Sequence, residues 1–208
     1  MTLESSKNLG GVGALLLFIG VIPWLAPYGW VLALIGVILA LIGFKGLADY
    51  YREAGVFNNA LYAVILTVVG GVVFAGLLSI AALGFLTELG FDPQNITEWS
   101  TGISQLDPTS VIGVVGEFLA QILLGAVILW VCLIIGAILL RKSLGIVSMK
   151  SGVGLFGVTS WMILIGAIIP FIGLVIIWIG LLLLAIAFFS VRAQPMPPPG
   201  ASAPQAPV

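Results

Sequence analysis

The sequence predicts an all-α, polytopic membrane protein with six transmembrane helices and both termini on the cytoplasmic side. Three observations predict it. Of the 208 residues 61% are hydrophobic and 7% charged, against about 45–50% and about 25% in an ordinary soluble domain. Eight acids and seven bases cannot coat a globule of this size, and a disordered chain would need low hydrophobicity and high charge. The apolar residues fall into runs of spanning length, about 20 residues each. Finally, all seven bases (Lys7, Lys45, Arg52, Arg141, Lys142, Lys150 and Arg192) fall on one face of a six-span arrangement, whereas the other carries Glu88, Asp92, Glu98 and Asp107 and no base. Positive residues favour the cytoplasmic side.

The elements follow in order, within a membrane domain over 1–191. Met1 to Asn8 is polar, and the first span runs over about 9–26. Lys7 before an apolar run mimics a signal peptide, but the run ends in Trp24-Leu25-Ala26-Pro27-Tyr28 rather than a small-x-small cleavage site, so it reads as a retained helix. Pro23, Pro27 and Gly29 make a turn into the second span, about 30–47. Lys45, Asp49, Arg52 and Glu53 form a short charged stretch before the third, about 59–86. Gly70, Gly71 and Gly76 are bend points within it. An external acidic loop covers 87–109.

Asp107 is the expected N-cap, with Pro108 in the first turn, of a fourth span over 110–140 that stops before Arg141-Lys142. Val153 to Val191 is too long for one span, and Pro170 divides it into spans 152–169 and 171–190. Residues 192–208 are Pro-rich and are expected to form a disordered cytoplasmic tail. The third and fourth helices exceed the ~30 Å hydrocarbon core, so they tilt, bend or project outward under a small external cap. Trp24, Tyr28 and Trp30 gather at the outer interface and Tyr50 and Tyr51 at the inner one.

The first and last helix pairs resemble each other. Leu17-Phe18-Ile19-Gly20-Val21-Ile22-Pro23 parallels Ile163 to Pro170, and Ile35-Gly36 through Phe44 parallels Ile179-Gly180 through Phe188. Gly29, Gly36 and Gly43 recur at seven-residue spacing, as do Gly173, Gly180 and Ala187. That spacing keeps small residues on one helix face, where they let backbones approach and serve as helix-packing positions. A parallel repeat accounts for the match, and so does chance similarity between Leu/Ile/Val/Gly-rich segments.

Residues able to carry chemistry are few. There is no His, hence no usual neutral-pH base. Cys132 is the only cysteine, which excludes an intrachain disulfide and Cys-based metal motifs; in mid-helix it reads as a packing residue. A net charge of −1 gives no long-range attraction to nucleic acid. Glu117 is the one acid set in apolar sequence, with Gln121 a turn away on the same face. An intramembrane acid is a candidate proton or cation site. Counting about 20 residues back from Arg141 instead puts Glu117 at the outer interface, where water reaches it. Thr67, Ser79, Thr159 and Ser160 are expected to bond across helices or back to their own carbonyls. Gly10-Gly11-Val12-Gly13 and Gly152-Val153-Gly154 open apolar helices and follow no strand, unlike a phosphate-binding loop. Asn95-Ile96-Thr97 is a glycosylation acceptor on the predicted outside.

Ser5-Ser6-Lys7-Asn8-Leu9-Gly10-Gly11, Val56-Phe57-Asn58-Asn59-Ala60-Leu61-Tyr62, Leu155-Phe156-Gly157 and Ala185-Ile186-Ala187-Phe188-Phe189-Ser190 resemble an uncharacterised family of archaeal integral membrane proteins known only as a domain of unknown function. The resemblance implies a polytopic protein of the archaeal cell membrane and supplies no activity, substrate or site. Some similar chains end in a zinc-ribbon-like tail, a feature absent after Cys132.

Three functional classes follow. The first is a non-catalytic scaffold or accessory subunit, whose partners are the lipid bilayer and another membrane protein or copies of itself. The second is a small transporter or channel using Glu117 and Gln121. The third is a lipid-acting enzyme with Asp92, Glu98 and Asp107 around a hard cation, against which stands the simpler reading of a solvated acidic face. No catalytic set and no cofactor is expected.

Overall fold

The computed structural model describes residues 2–22, 26–92 and 108–192. Among these the chain is all helical: α1 (Leu3–Gly20), α2 (Ala26–Tyr51), α3 (Ala54–Glu88), α4 (Pro108–Ser151), α5 (Gly154–Ile168) and α6 (Ile172–Phe189). Each helix packs on its neighbours in sequence, and α6 returns to α1. The six therefore close into a ring of antiparallel neighbours.

Each seam has its own cause. In α1/α2 and α5/α6 glycines face each other. The α3/α4 seam is tied by the buried Ser143 hydroxyl, which donates to the Val56 carbonyl at 2.6 Å, and by the Lys150–Glu53 pair at 2.8 Å. Across α4/α5 the Trp130 indole donates to the Ala167 carbonyl at 2.8 Å. Across α6/α1 the Trp178 indole donates to the Phe18 carbonyl at 2.9 Å and stacks on the Phe18 ring, centroids 4.6 Å apart. The last carbonyls of a helix have no partner within it. Phe18 and Ala167 stand in the final turns of α1 and α5, so the two indoles cap helix ends from adjacent helices.

The core sits toward one end of the ring. Phe156 and Phe188 are fully buried and Phe44 nearly so. Their rings meet edge to face, Phe44–Phe188 at 5.1 Å and Phe156–Phe188 at 5.4 Å, an arrangement worth about 0.5–1.5 kcal/mol per pair beyond burial. Leu47, Val56, Leu144, Val147 and Val191 pack around them. The bases share this end: Lys7 reaches the Val191 carbonyl, Lys45 lies over the Phe57 ring, Arg141 over Trp161, and Lys150 pairs with Glu53.

Helix ends differ from expectation where polar residues continue a helix. α1 starts at Leu3 rather than near residue 9 because Thr2 caps it, its hydroxyl accepting the Ser5 N–H at 3.2 Å. It stops at Gly20. α4 runs through to Ser151 rather than ending at Leu140, so the expected charged linker is helix. No proline interrupts it, and Leu140, Ser143, Leu144 and Val147 extend one inward stripe past Arg141. α2 likewise continues to Tyr51, leaving Arg52–Glu53 as the connection. Arg52 takes φ 54°, and the Glu53 N–H bonds back to the Ala48 carbonyl at 2.9 Å, which closes α2 in the manner of a Schellman motif. α3 is unbroken through Gly70, Gly71 and Gly76.

Four helices are long and apolar enough to cross a membrane: Tyr28–Tyr51, Ala54–Glu88, Ile112–Ser151 and Ile172–Phe189. α1 falls short because its first two turns are polar. α5 has 15 residues, about 22 Å at 1.5 Å per residue. The residues 23–25, 93–107 and 193–208, and with them Trp24, Asn95, Glu98, Asp107 and the Pro-rich tail, lie outside the described residues.

Candidate functional site

The six helix-packing positions are all buried. Gly20 and Gly29 oppose each other: a Cβ on Gly20 would lie 2.7 Å from the Gly29 carbonyl oxygen, and one on Gly29 would strike the Gly20 carbonyl. Gly166 and Gly173 do the same at the far hairpin, where a Cβ on Gly166 would lie 2.7 Å from the Gly173 oxygen. Gly36 stands against the Gly13 carbonyl and the Leu17 backbone, and Gly43 against Gly10. Gly180 is looser, with Ile163 Cγ1 at 3.4 Å from its absent Cβ. Ala187 belongs to the buried cluster around Phe188. The partner glycines on α1 and α5, namely Gly10, Gly13, Gly20 and Gly166, were not singled out by the sequence as packing positions; the Gly13–Gly20 step of seven residues is the one signal that points to two of them.

Glu117 and Gln121 do come together. Both are exposed and line a recess of about 20 Å³ between α3 and α4, facing Glu88 over the tilted Phe85–Phe118 ring pair. That space is about right for a single water. Two carboxylates and one amide offer acceptors to a cation, but among the described residues no group of three metal-binding side chains is formed. Asp92 is described, but Glu98 and Asp107 are not, so the acidic-loop set falls outside the described residues.

Between α2, α3, α4, α5 and α6 lies a partly open hollow of about 240 Å³, lined by residues such as Val37, Val64, Leu133, Ile163 and Leu181. Its single hydroxyl, on Thr67, already donates to the Ala63 carbonyl at 2.9 Å. Ser79 and Ser160 also bond back to their own helices. Thr159 does not: its hydroxyl is fully buried with no hydrogen-bond partner. Cys132 is half-buried and packs against Gly70.

One feature escaped sequence reading. Arg141 and Lys142 on α4 border a groove of about 620 Å³ shared with α5, in which the Arg141 guanidinium lies 3.7 Å from the centre of the Trp161 ring. The two residues are 20 apart in sequence and meet only because α4 continues as helix and α5 folds back on it.

Comparison with known proteins agrees with this level of description. A family model described as "Protein of unknown function (DUF996)" matches residues 32–188. The uncharacterised protein MJ1644 of Methanocaldococcus jannaschii is 26% identical over 193 residues, covering 91% of this chain and 93% of that protein. No solved structure matches.

Proposed function

The chain belongs to the DUF996 family of proteins of unknown function, and on that premise we propose that it is a membrane-embedded, non-catalytic scaffold or accessory subunit. In this reading it crosses the bilayer six times, with both termini and the basic end in the cytoplasm and the 87–109 loop outside. The clustering of the bases at one end of the ring supports that orientation, as does the side-by-side placement of Lys7 and Val191. α1 and α5 are short spans, accommodated by local bilayer thinning and by their longer neighbours. The matching Gly20–Gly29 and Gly166–Gly173 crossings favour a parallel repeat of the two hairpins.

The observation that carries the scaffold reading is the α3/α4 hairpin. α3 has 35 residues and α4 44, about 52 and 66 Å, against ~30 Å of hydrocarbon. The span windows of α3 and α4 are 11% and 17% buried, against 39% for α2 and 33% for α6. Taking Phe57, beneath Lys45, and Arg141 as the inner boundary, about 20 residues of each helix fill the bilayer. The remainder, Leu78–Glu88 and the turns of α4 before Gln121, forms a stem about 15 Å beyond it. Ile80, Leu83, Ile112 and Leu119 are at least half exposed there. Apolar side chains beyond the lipid call for a protein cover, and an apolar helix of another membrane subunit fits a helical stem.

The test is gentle solubilisation from the native membrane, followed by identification of co-purifying chains and their stoichiometry. A foreign subunit in fixed ratio supports the reading. A lone monomer in mild detergent defeats it.

A small transporter or channel is the second reading, favoured by Glu117, Gln121 and Glu88 around one recess. A selective pathway needs polar lining near the midplane, and the central hollow offers one committed hydroxyl. Flux in proteoliposomes that is lost in Glu117→Gln would support it.

A further inference from the structure

We infer that the α4/α5 groove at the basic end binds the phosphoryl group of an anionic lipid headgroup. This rests on the membrane placement above, which puts the groove at the cytoplasmic interface. The groove holds about 620 Å³, within the usual range of ligand sites. Among its described lining residues are two bases, Arg141 and Lys142, and no acid.

The donors can be assigned. Ser148 and Ser160 line the groove, but their hydroxyls donate to the Val153 and Gly157 carbonyls, at 3.2 and 2.7 Å. The Asn59 amide gives one of its two N–H groups to the Gly55 carbonyl at 2.7 Å. The two bases therefore supply the charge and most of the hydrogen bonds. Arg141 is prepared for this role. Its guanidinium carbon lies over the Trp161 ring, 3.7 Å from the ring centre, which holds the cation against the aromatic face. The guanidinium keeps five N–H donors in a planar fork that matches two phosphate oxygens. Lys142 is exposed at the next position and adds a mobile ammonium.

The remaining walls suit a lipid rather than a wholly polar ligand. Ile138, Met149 and Trp161 are exposed apolar side chains of the same groove, and Ile135 continues the exposed α4 surface toward the other end of the ring. An acyl or isoprenoid chain would follow that surface from a phosphate held at Arg141. Gly145 gives the groove its depth, since a Cβ there would meet nothing within 4 Å.

The experiment is native mass spectrometry of the delipidated, detergent-purified full chain. It is titrated with dioleoylphosphatidylglycerol or dioleoylphosphatidylcholine at equal concentration. The wild type should retain the anionic lipid preferentially. Arg141→Gln and Lys142→Gln should each cut that preference about fivefold, as expected for the loss of one direct hydrogen bond to the phosphate. Gly145→Leu should fold, having room, and should lower adduct formation by filling the groove. Lys45→Gln, at the same end but outside the groove, should leave the preference unchanged. Retained preference in Arg141→Gln, Lys142→Gln and Gly145→Leu together would overturn the inference. So would displacement of phosphatidylglycerol by millimolar glycerol 1-phosphate, which would assign the groove to a soluble phosphate ester. The mass of the protein component reports its assembly in the same spectrum, so failure here is separable from failure of the scaffold reading.

Discussion

Replacing Gly166 by Ala tests the hairpin geometry at one atom. A methyl at this position would lie 2.7 Å from both the Gly173 carbonyl oxygen and Ile177 Cγ1, and 3.2 Å from the Ile177 nitrogen. The isoleucine side chain is able to rotate away, but the Gly173 carbonyl is backbone. To bring that contact even to 3.0 Å, α5 and α6 must move apart at their crossing. Two effects oppose each other. Alanine in a helix interior gains about 1 kcal/mol over glycine. Overpacking a tight interface costs about 1–3 kcal/mol, and separating the backbones also weakens Cα–H···O contacts worth about 0.5–1 kcal/mol each. The net expectation is a loss of about 1–2 kcal/mol, or a melting temperature lower by roughly 2–8 °C for a chain of this size. Gly76→Ala supplies the opposite sign, because nothing lies within 4 Å of its Cβ position, so the helix gain of about 0.5–1 kcal/mol stands alone. Thermal melts of both variants in one detergent read the difference. A Gly166→Ala protein as stable as the wild type would refute the close α5/α6 crossing.

Further outcomes follow from individual contacts. Trp178→Phe keeps a ring against Phe18 but deletes the N–H that serves its carbonyl, and should cost about 1–3 kcal/mol in the same melts, since a buried acceptor is left unpaired. Thr159→Val exchanges a buried, unpartnered hydroxyl for a methyl, so stability should rise by about 1 kcal/mol; a fall would mean the hydroxyl has a partner. Phe171 is 85% exposed at the α5–α6 turn, and in a Cys132→Ala background Phe171→Cys should react with a membrane-impermeant maleimide added outside whole cells. Protection there would indicate that the last hairpin only dips into the bilayer. Gly84→Leu, at a stem position with open space around it, should raise stability by about 0.5–1 kcal/mol while reducing recovery of the co-purifying subunit.

Much of the fold was legible because the signals are local. Pro170 breaks an apolar run too long for one helix, and the turn forms around it: the Ile172 N–H bonds to the Pro170 carbonyl at 2.8 Å while Phe171 takes φ 63°. Helix ends were less legible where amphipathic pattern replaced apolar run. The segment 141–151 looks like a linker by hydropathy, yet Leu144 and Val147 are fully exposed to the core rather than to solvent, with 0% accessibility. The glycine face of α2 was visible as a seven-residue step, but not what it meets. The pairing of Arg141 with Trp161 depends on the register of two helices, and neither residue carries a local sign of the other.

The glycines divide the molecule into two kinds of surface. Those of α1, their partners Gly29, Gly36 and Gly43 on α2, and the Gly166–Gly173 pair are consumed within the chain, with backbone or aromatic atoms at distances a side chain would not tolerate. In the α3/α4 hairpin Gly71, Gly76, Gly84, Gly113 and Gly116 have nothing within 4 Å of their Cβ positions. Each costs about 0.5–1 kcal/mol of helix stability relative to alanine, and among the described residues no close approach offsets that cost. Small residues on exposed apolar helices are what a neighbouring helix needs in order to come near. These glycines lie on the two helices that are longer than a bilayer's ~30 Å of hydrocarbon and that bury least among the four candidate spans. Length, exposure and glycine placement thus support the proposal that this hairpin receives a second subunit, while the opposite end, packed around the phenylalanine cluster, carries the groove proposed for lipid phosphate.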